Sequence, residues 1–590
     1  MKRRKKEIGL FNILGMGKGH IAKMMSIELT IVAIVSILCG LGGGVLFSKL
    51  MLSLLMRLLG FPVQFGFEVP IAGVAITVLV FGIIFFLTLL TNLARIKVAK
   101  PIELLYGGQT GEKEPKIKWP LVVVGVLALG FGYYIALVTE DPLQAIVLFF
   151  LAVLLVILGT YCLMTAGSIA VLKIMKKNKK YFYQTSHFTN VSGMLYRMKK
   201  NAVGLANICI LSTMVLVMVS GTSCLFIGLE DAIRTQHPRH IEIMMRNIDE
   251  YRVDTISSAM DQAMEDCGAV ETKDSRILYM YQYLTCSNVQ NRFQFRDDQV
   301  LDAMDAVVYL IPLSSYNQLQ GCEKTLESNE ALVYSPDESY GYDTIRFLDY
   351  EYQVVERPEI MNVEYNHLLQ YAETYYIVLP DKQAVADVYT DMQNALIIDE
   401  SDKVQFSGYQ AYYGFDLEGD RDERIRVGQY LNERLMEVQI DSEYSANFFL
   451  RAAEDYRAEF FELYGGLFFL GLFLGTIFIM ATVLIMYYKQ ISEGFEDKER
   501  FRIMSKVGMS RDEIKKTIRS QVLSVFFLPL LCACIHVAFA FKMLTRLLLV
   551  LNLTNAALFL ACTIGTVIIF AIIYTAVYAL TARAYYRIVQ

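Results

Sequence analysis

Eight apolar runs decide what this chain can fold into, because each is long enough to cross a hydrocarbon layer that takes about 20 residues of α-helix. They lie near residues 27–47, 70–94, 120–138, 143–165, 202–227, 463–487, 522–541 and 557–580. With 54% hydrophobic residues, 19% charged residues and a mean hydropathy of +0.38, the chain cannot be water-soluble at this length. Inside a bilayer every backbone N–H and C=O must be satisfied within its own segment, so the runs are helices. The expected fold class is a polytopic α-helical membrane protein of about eight spans, carrying a large mixed α/β domain outside the membrane.

That domain shows in the charge. Residues 228–460 hold 45 acidic and 19 basic side chains, a charge of −26, which leaves +21 on the rest of a chain whose formal total is −5. Short cytoplasmic segments collect Lys and Arg. The rule puts 1–26, 95–119, 173–201, 488–521 and 581–590 inside, and 228–460, Glu140-Asp141 and the loops near 48–69 and 542–556 outside. Both termini are then cytoplasmic. No cleavable signal peptide is evident at the basic N-terminus. Seven of the ten cysteines sit in or beside spans as small hydrophobes, while Cys267, Cys286 and Cys322 are external and leave one disulfide open.

A basic stretch occurs twice, from Lys2 to Ile27 and from Lys498 to Val522. Aligned on Gly15-Met16 and Gly508-Met509, the copies match without a gap at Lys5 and Lys498, Leu14 and Val507, Lys18 and Arg511, Ile21 and Ile514, and Lys23 and Lys516. The register holds to Lys49 and Lys542, beyond the span that follows each copy. Each copy reads as an amphipathic helix-turn-helix around a Gly-Met turn, a surface suited to being gripped. A solvated basic loop would account for the charge, but not for the recurrence of the turn before an equivalent span.

Along the rest of the chain, Gly40 and Gly44 in the first span and Gly471 and Gly475 in the sixth have the small-residue spacing of close helix packing. Arg95 to Trp119 reads as a linker. In the soluble domain, strands are expected at 240–245, 277–284, 292–295, 331–334, 344–348, 352–356 and 375–379. Helices are expected at 255–265, 382–394 and 422–437, with a helical stalk from Ser445 to Phe461 running into the sixth span.

Catalytic signals are weak. Gly15 to His20 lacks the spacing and hydroxyl of a phosphate loop. His237, His240 and Glu242 offer metal-ligand chemistry without a further ligand pattern, so a solvated strand entrance is the preferred reading. Asp416 to Asp422 has the composition of a calcium loop with its Gly misplaced, and is read as a turn capping the following helix. Glu28 and His536 are the ionisable residues to note within spans. Glu28 is matched by Gln521 in the repeat, which favours an interfacial role.

The motif from Arg4 to Met16, RKKEIGLFNILGM, followed by a span, resembles the cytosolic signature of FtsX-like permeases. The layout, a large domain between two spans with a further repeat half behind it, resembles the bacitracin and antimicrobial-peptide export permeases of the BceB type. The resemblance implies a permease subunit of an ABC transporter that confers resistance to cell-wall-targeting peptides by mechanotransmission, in a bacterial cell membrane. It implies a separate ATPase, expected as a dimer, that holds ATP and Mg, so that this chain is neither an enzyme nor the holder of a cofactor or metal. Docking on that subunit falls to Glu7, Gly9, Leu14, Gly15, Met16 and Lys18 in the first copy, and to Arg500, Val507, Gly508, Met509 and Arg511 in the second. In the second copy Glu-Ile-Gly has become Arg500-Phe501-Arg502.

The implied partners at the external domain are a peptide or a lipid-linked cell-wall precursor, with membrane lipids around the spans, a sensor histidine kinase as a candidate further partner, and no nucleic acid. The implied units are 1–119, a first FtsX-like half; 120–201, a connecting hairpin and basic loop; 202–227, a span; 228–460, the external domain; and 461–590, a second half with its docking loop at 488–521. The family has two further spans ahead of the first docking motif, so Met1 is expected to be an internal start or the chain a fragment. A signalling subunit, passing peptide occupancy to a kinase or activating wall hydrolases, is the alternative. A lipoprotein extractor is disfavoured by the number of spans.

Overall fold

The computed structural model describes residues 7, 10–11, 14–58, 71–98, 114–183, 185–289, 291–294, 306–336, 340–363, 373–395, 397, 403, 405–440, 447–506, 508 and 510–589. Eight helices among them are long and apolar enough to cross a membrane, as the sequence predicts. They are carried by α1 (Lys18–Leu58), α2 (Ile71–Val98), α3 (Trp119–Val138), α4 (Pro142–Cys162) with its continuation α5 (Ser168–Lys177), α6 (Thr185–Ile227), α12 (Ala453–Lys506), α13 (Arg511–Val550) and α14 (Ala556–Val589). The protein is a helical membrane protein with one large α/β domain.

The repeat is visible in the helices themselves. α1 begins at Lys18 and α13 at Arg511, the positions that the two copies align, and their ends at Leu58 and Val550 fall within one residue of equivalence. Their surroundings differ. α6, α12, α13 and α14 bury one apolar core that includes Leu195, Cys209, Leu216, Met486, Phe526, Leu530, Phe570 and Tyr574. α1 and α2 pair with each other and leave most of their apolar side chains on the surface, where lipid would cover them.

Glycines locate the close approaches. A Cβ on Gly475 would stand 2.8 Å from Val219 Cγ2, and Gly471 lies equally tight on Thr222, so α12 packs backbone-close on α6. Gly125 and Gly159 do the same between α3 and α4. At Gly40 and Gly44 a Cβ meets nothing within 4 Å among the described residues.

Between α4 and α5, residues Leu163–Gly167 form a π-turn, one extra residue in an otherwise continuous helix. α4 itself starts on Asp141, whose carboxylate accepts from Leu143 N–H at 2.8 Å, with Pro142 in the first turn where its missing N–H costs nothing. His536, in α13, holds this hairpin in place: its ring nitrogens lie 2.6 Å from Tyr133 Oη of α3 and 3.1 Å from Thr160 Oγ1 of α4. A buried imidazole inside the spans is thereby satisfied.

The sheet domain opens with α7 (Leu229–Gln236) and β1 (Ile241–Ile248), followed by α8 (Glu250–Cys267), β2 (Ile277–Val289), β3 (Arg292–Gln294), β4 (Ala306–Pro312) and α9 (Leu313–Gln320). It continues through β5 (Glu330–Tyr334), β6 (Thr344–Phe347), β7 (Tyr350–Glu356), β8 (Glu373–Leu379), α10 (Lys382–Asn394), β9 (Tyr409–Phe415), α11 (Arg421–Ile440) and β10 (Asn447–Ala452). The strands run in the order β10-β1-β9-β2-β3-β6-β7-β5-β8-β4, and β4 pairs back onto β2. α8 and α11 cover the antiparallel β10-β1-β9 end, burying Ile243, Met260, Tyr413 and Leu431. α10 covers a second core around Phe293, Phe347, Ile377 and Val388, and α9 a third rich in tyrosine, with Tyr279, Tyr281, Tyr309, Tyr376 and Tyr412. Cys267, Cys286 and Cys322 are all free thiols.

Several expected elements move. β4, β9 and α9 stand where no element is expected. Within the expected stalk, Asn447–Ala452 is a strand rather than a helix: Leu450 pairs with Ile243 across the ladder to β1, and backbone pairing outweighs the helical pattern. The helix begins only at Ala453, whose N–H donates to His240 O at 2.9 Å. The basic segment before the fifth span is helical, continuous with the span itself in α6.

Candidate docking site

The first turn is a helix C-terminus closed by glycine. Gly15 has φ +96°, Leu14 N–H donates to Leu10 O at 2.9 Å, and Met16 N–H reaches back to Phe11 O at 3.0 Å, the six-residue bond of a Schellman cap. Phe11 and Met16 then pack together on Ile21 and Ile96, the apolar contact that accompanies such a cap. Met16 therefore faces inward, toward α1 and the end of α2. Leu10 and Leu14 face outward, 51% and 72% exposed, beside exposed Lys18 and His20. Glu7 and Glu28 line a shallow groove of about 180 Å³ between this turn and α1–α2, which places Glu28 at the turn end of its helix.

The glycine of the second turn repeats that left-handed backbone. Gly508 has φ +103° and sits between the end of α12 at Lys506 and the start of α13 at Arg511. Only glycine takes this left-handed region without strain. Lys498, Arg502, Ile503, Lys506 and Lys516 are exposed around it. Gly9, Val507 and Met509 lie outside the described residues, as do the side chains of Arg500 and Arg511.

What joins the second turn to the sheet domain is a single helix. α12 runs 54 residues without a break, about 80 Å at 1.5 Å per residue, from the end of β10 to the residue before the turn. At its sheet-domain end Glu454, 3% exposed, gathers Arg424 at 2.7 Å, Arg457 at 2.9 Å and Arg421 at 3.4 Å, and Arg457 also bonds Glu230 of α7. Asn552 and Asn555, between α13 and α14, donate to Gln236 and Asp231 of α7. The domain is thus clamped to the helices at its root.

Asp416 adds a second clamp. It accepts from Arg234 at 2.9 Å, Arg239 at 3.1 Å and His240 N–H at 2.9 Å. Burial pushes its carboxyl up, but the bonds from Arg234 and His240 outweigh burial and hold it below the usual carboxylate range. Burial, with Arg234 next, pulls His240 below the ordinary imidazole range. The residues considered as metal ligands separate here: His237 pairs with Glu242 at 3.0 Å, while His240 turns to Arg234 and Leu417 N–H. Asp420, not Asp416, caps α11 through Glu423 N–H at 2.9 Å. Sequence patterns missed Glu454 and Asp416 because their arginine partners arrive from other elements; only the Glu454 and Arg457 pair, three apart at a helix start, leaves a local signal.

Residues 1–99, which take in the first turn with α1 and α2, match the family described as FtsX-like permease C-terminal. Among curated proteins the chain is similar to the uncharacterized ABC transporter permease YvcS of Bacillus subtilis (strain 168), 23% identical over 604 residues, covering 100% of this chain and 86% of that protein. It is similar to the ABC transporter permease protein YxdM of the same organism, 24% identical over 97% of this chain and 85% of that protein. It is also similar to its bacitracin export permease protein BceB, 24% identical over 92% of this chain and 81% of that protein. With two like-built turns, eight spans and one α/β domain already in place, the chain carries an FtsX-like permease domain and is homologous over most of its length to ABC transporter permeases, bacitracin export permeases among them.

Proposed function

We propose that this protein is the permease subunit of an ABC transporter that frees the cell wall's lipid-linked precursors from antimicrobial peptides, driven by a separate ATPase dimer gripping the two glycine turns. The turns lie in the cytosol, where their Lys and Arg accord with the positive-inside rule, and the acidic sheet domain lies outside. ATP and Mg belong to the partner. The observation that carries this reading is α12, an unbroken helix with the Gly508 turn at one end and β10 of the sheet domain at the other. Closure of the ATPase dimer tilts that rod and displaces the domain that holds the peptide.

Reversing charge at Arg511 and Lys516 should abolish co-purification with the ATPase; undiminished pairing would remove the second turn from the docking surface. A cysteine at Ser510 should resist membrane-impermeant thiol reagents in intact cells. The same rod can also carry peptide occupancy inward to a kinase. Deleting 228–460 and scoring resistance apart from induced transcription separates the two uses.

A further inference from the structure

Where α6, α12 and α14 emerge from the bundle toward the turns, six polar side chains cluster, five of them buried and one half-buried. Lys489, Glu493 and Asp497 lie at four-residue intervals on one face of α12, Arg197 and Asn201 likewise on α6, and Tyr585 comes from α14. Arg197 donates to Asp497 and, at 2.8 Å, to Tyr585 Oη; Tyr585 donates to the same Asp497 oxygen at 2.7 Å. Asn201 donates to Glu493, which stands 3.8 Å from Arg197, and Lys489 donates to the carbonyl of Asn201. Every one of these residues except Lys489 is under 10% exposed.

The contacts on either side have a different character. Toward the sheet domain, as far as Gly471, α6 and α12 meet through glycines, Val219, Thr222 and apolar side chains, contacts that are tight but carry little direction. Toward the turn, Lys498, Arg502, Ile503 and Lys506 are exposed. A buried charge parted from its partner is stranded without solvent, so the polar level resists separation far more than the apolar crossing between it and Gly471.

We infer that the Arg197–Asp497–Tyr585 cluster is the fixed fulcrum about which α12 tilts. Resting on the reading above, this makes Arg197 and Asp497 positioning residues for the transport cycle. From Asp497 to the helix end at Lys506 is about 14 Å, and from Asp497 to Ala453 about 66 Å. A displacement at that end is therefore enlarged about fivefold where the rod enters the sheet domain.

The test holds the fulcrum shut. A Cβ on Gly494 would stand 3.5 Å from Ile588 Cβ, within disulfide reach. Gly494→Cys with Ile588→Cys, in the full chain with its ten native cysteines replaced, is oxidised and assembled with the ATPase in lipid nanodiscs. Spin labels at Met436 in the sheet domain and Leu127 in α3 report motion on adding ATP. Oxidised and reduced proteins should show the same distance change; a change abolished by oxidation means that this level opens, and overturns the inference. Asp497→Ala should keep ATPase binding and ATP hydrolysis yet lose at least about half of the distance change, with recovery in the Arg197→Asp, Asp497→Arg exchange. A full change in Asp497→Ala overturns it as well. Loss of ATPase binding in the unsubstituted chain would instead strike at the docking reading itself.

Discussion

Gly471 lies so near Thr222 that a Cβ on the glycine would stand 2.9 Å from the threonine Cβ. α6 and α12 can approach this closely because α12 places only glycine where Val219 and Thr222 of α6 come in. Gly471→Ala should therefore lower stability by about 1–3 kcal/mol through overpacking. Gly44→Ala, where a Cβ meets nothing within 4 Å, should be neutral or gain up to about 1 kcal/mol of helix stability. Unfolding midpoints of the two variants in one detergent check the contrast, and equal losses would contradict it.

The two turns can be probed by conformation alone. Among the described residues no atom lies within 4 Å of a Cβ built on Gly15 or Gly508, so alanine there introduces left-handed strain of about 1–2 kcal/mol without a clash. Each variant should weaken retention of the ATPase subunit, with Asn milder than Ala because Asn visits this region more readily. Pull-down at graded salt measures it.

His240 gives the sheet domain a pH dependence with a defined sign. Its folded pKa lies below the unfolded value of about 6.5, so the unfolded chain binds the proton more readily. Stability is full above that value and declines as pH falls through the window beneath it. Asp416, also depressed, adds its own loss only below about pH 4. Unfolding of the full chain between pH 7 and 5 should show a falling midpoint, and His240→Gln should flatten it; an unchanged slope would place the effect elsewhere.

Glu454 accepts from Arg424 and Arg457 and forms an ion pair with Arg421, and all three arginines reach solvent, so its removal strands little charge but releases the domain root. Glu454→Ala should cost about 2 kcal/mol, in the range of charged hydrogen bonds. ATPase binding and hydrolysis should persist while peptide resistance falls. If resistance survives, the root clamp is dispensable for coupling.

The spans were legible because length and apolarity alone specify them, and the Gly15 and Gly508 turns because a left-handed backbone demands glycine at a repeated position. β4, with all seven residues buried, offers no alternation to read, and β9 is nearly as continuous. β10 carried a pattern that suits a helix, and its pairing with β1, some two hundred residues earlier, overrode it. Gly40 and Gly44 have the spacing of Gly471 and Gly475, yet spacing cannot say whether a neighbour arrives. The pair Arg197 and Asp497, 300 residues apart, has no trace in any local window.

The π-turn at Leu163–Gly167 sets a phase. One extra residue advances everything downstream by about 100° around the axis. With that advance in place Ile169, Ala170 and Leu172 are buried, while Val171 and Ile174 are exposed. Deleting a single residue from the turn would straighten the helix and rotate its greasy side outward, so a change that looks like a local repair would unseat α5 from the bundle.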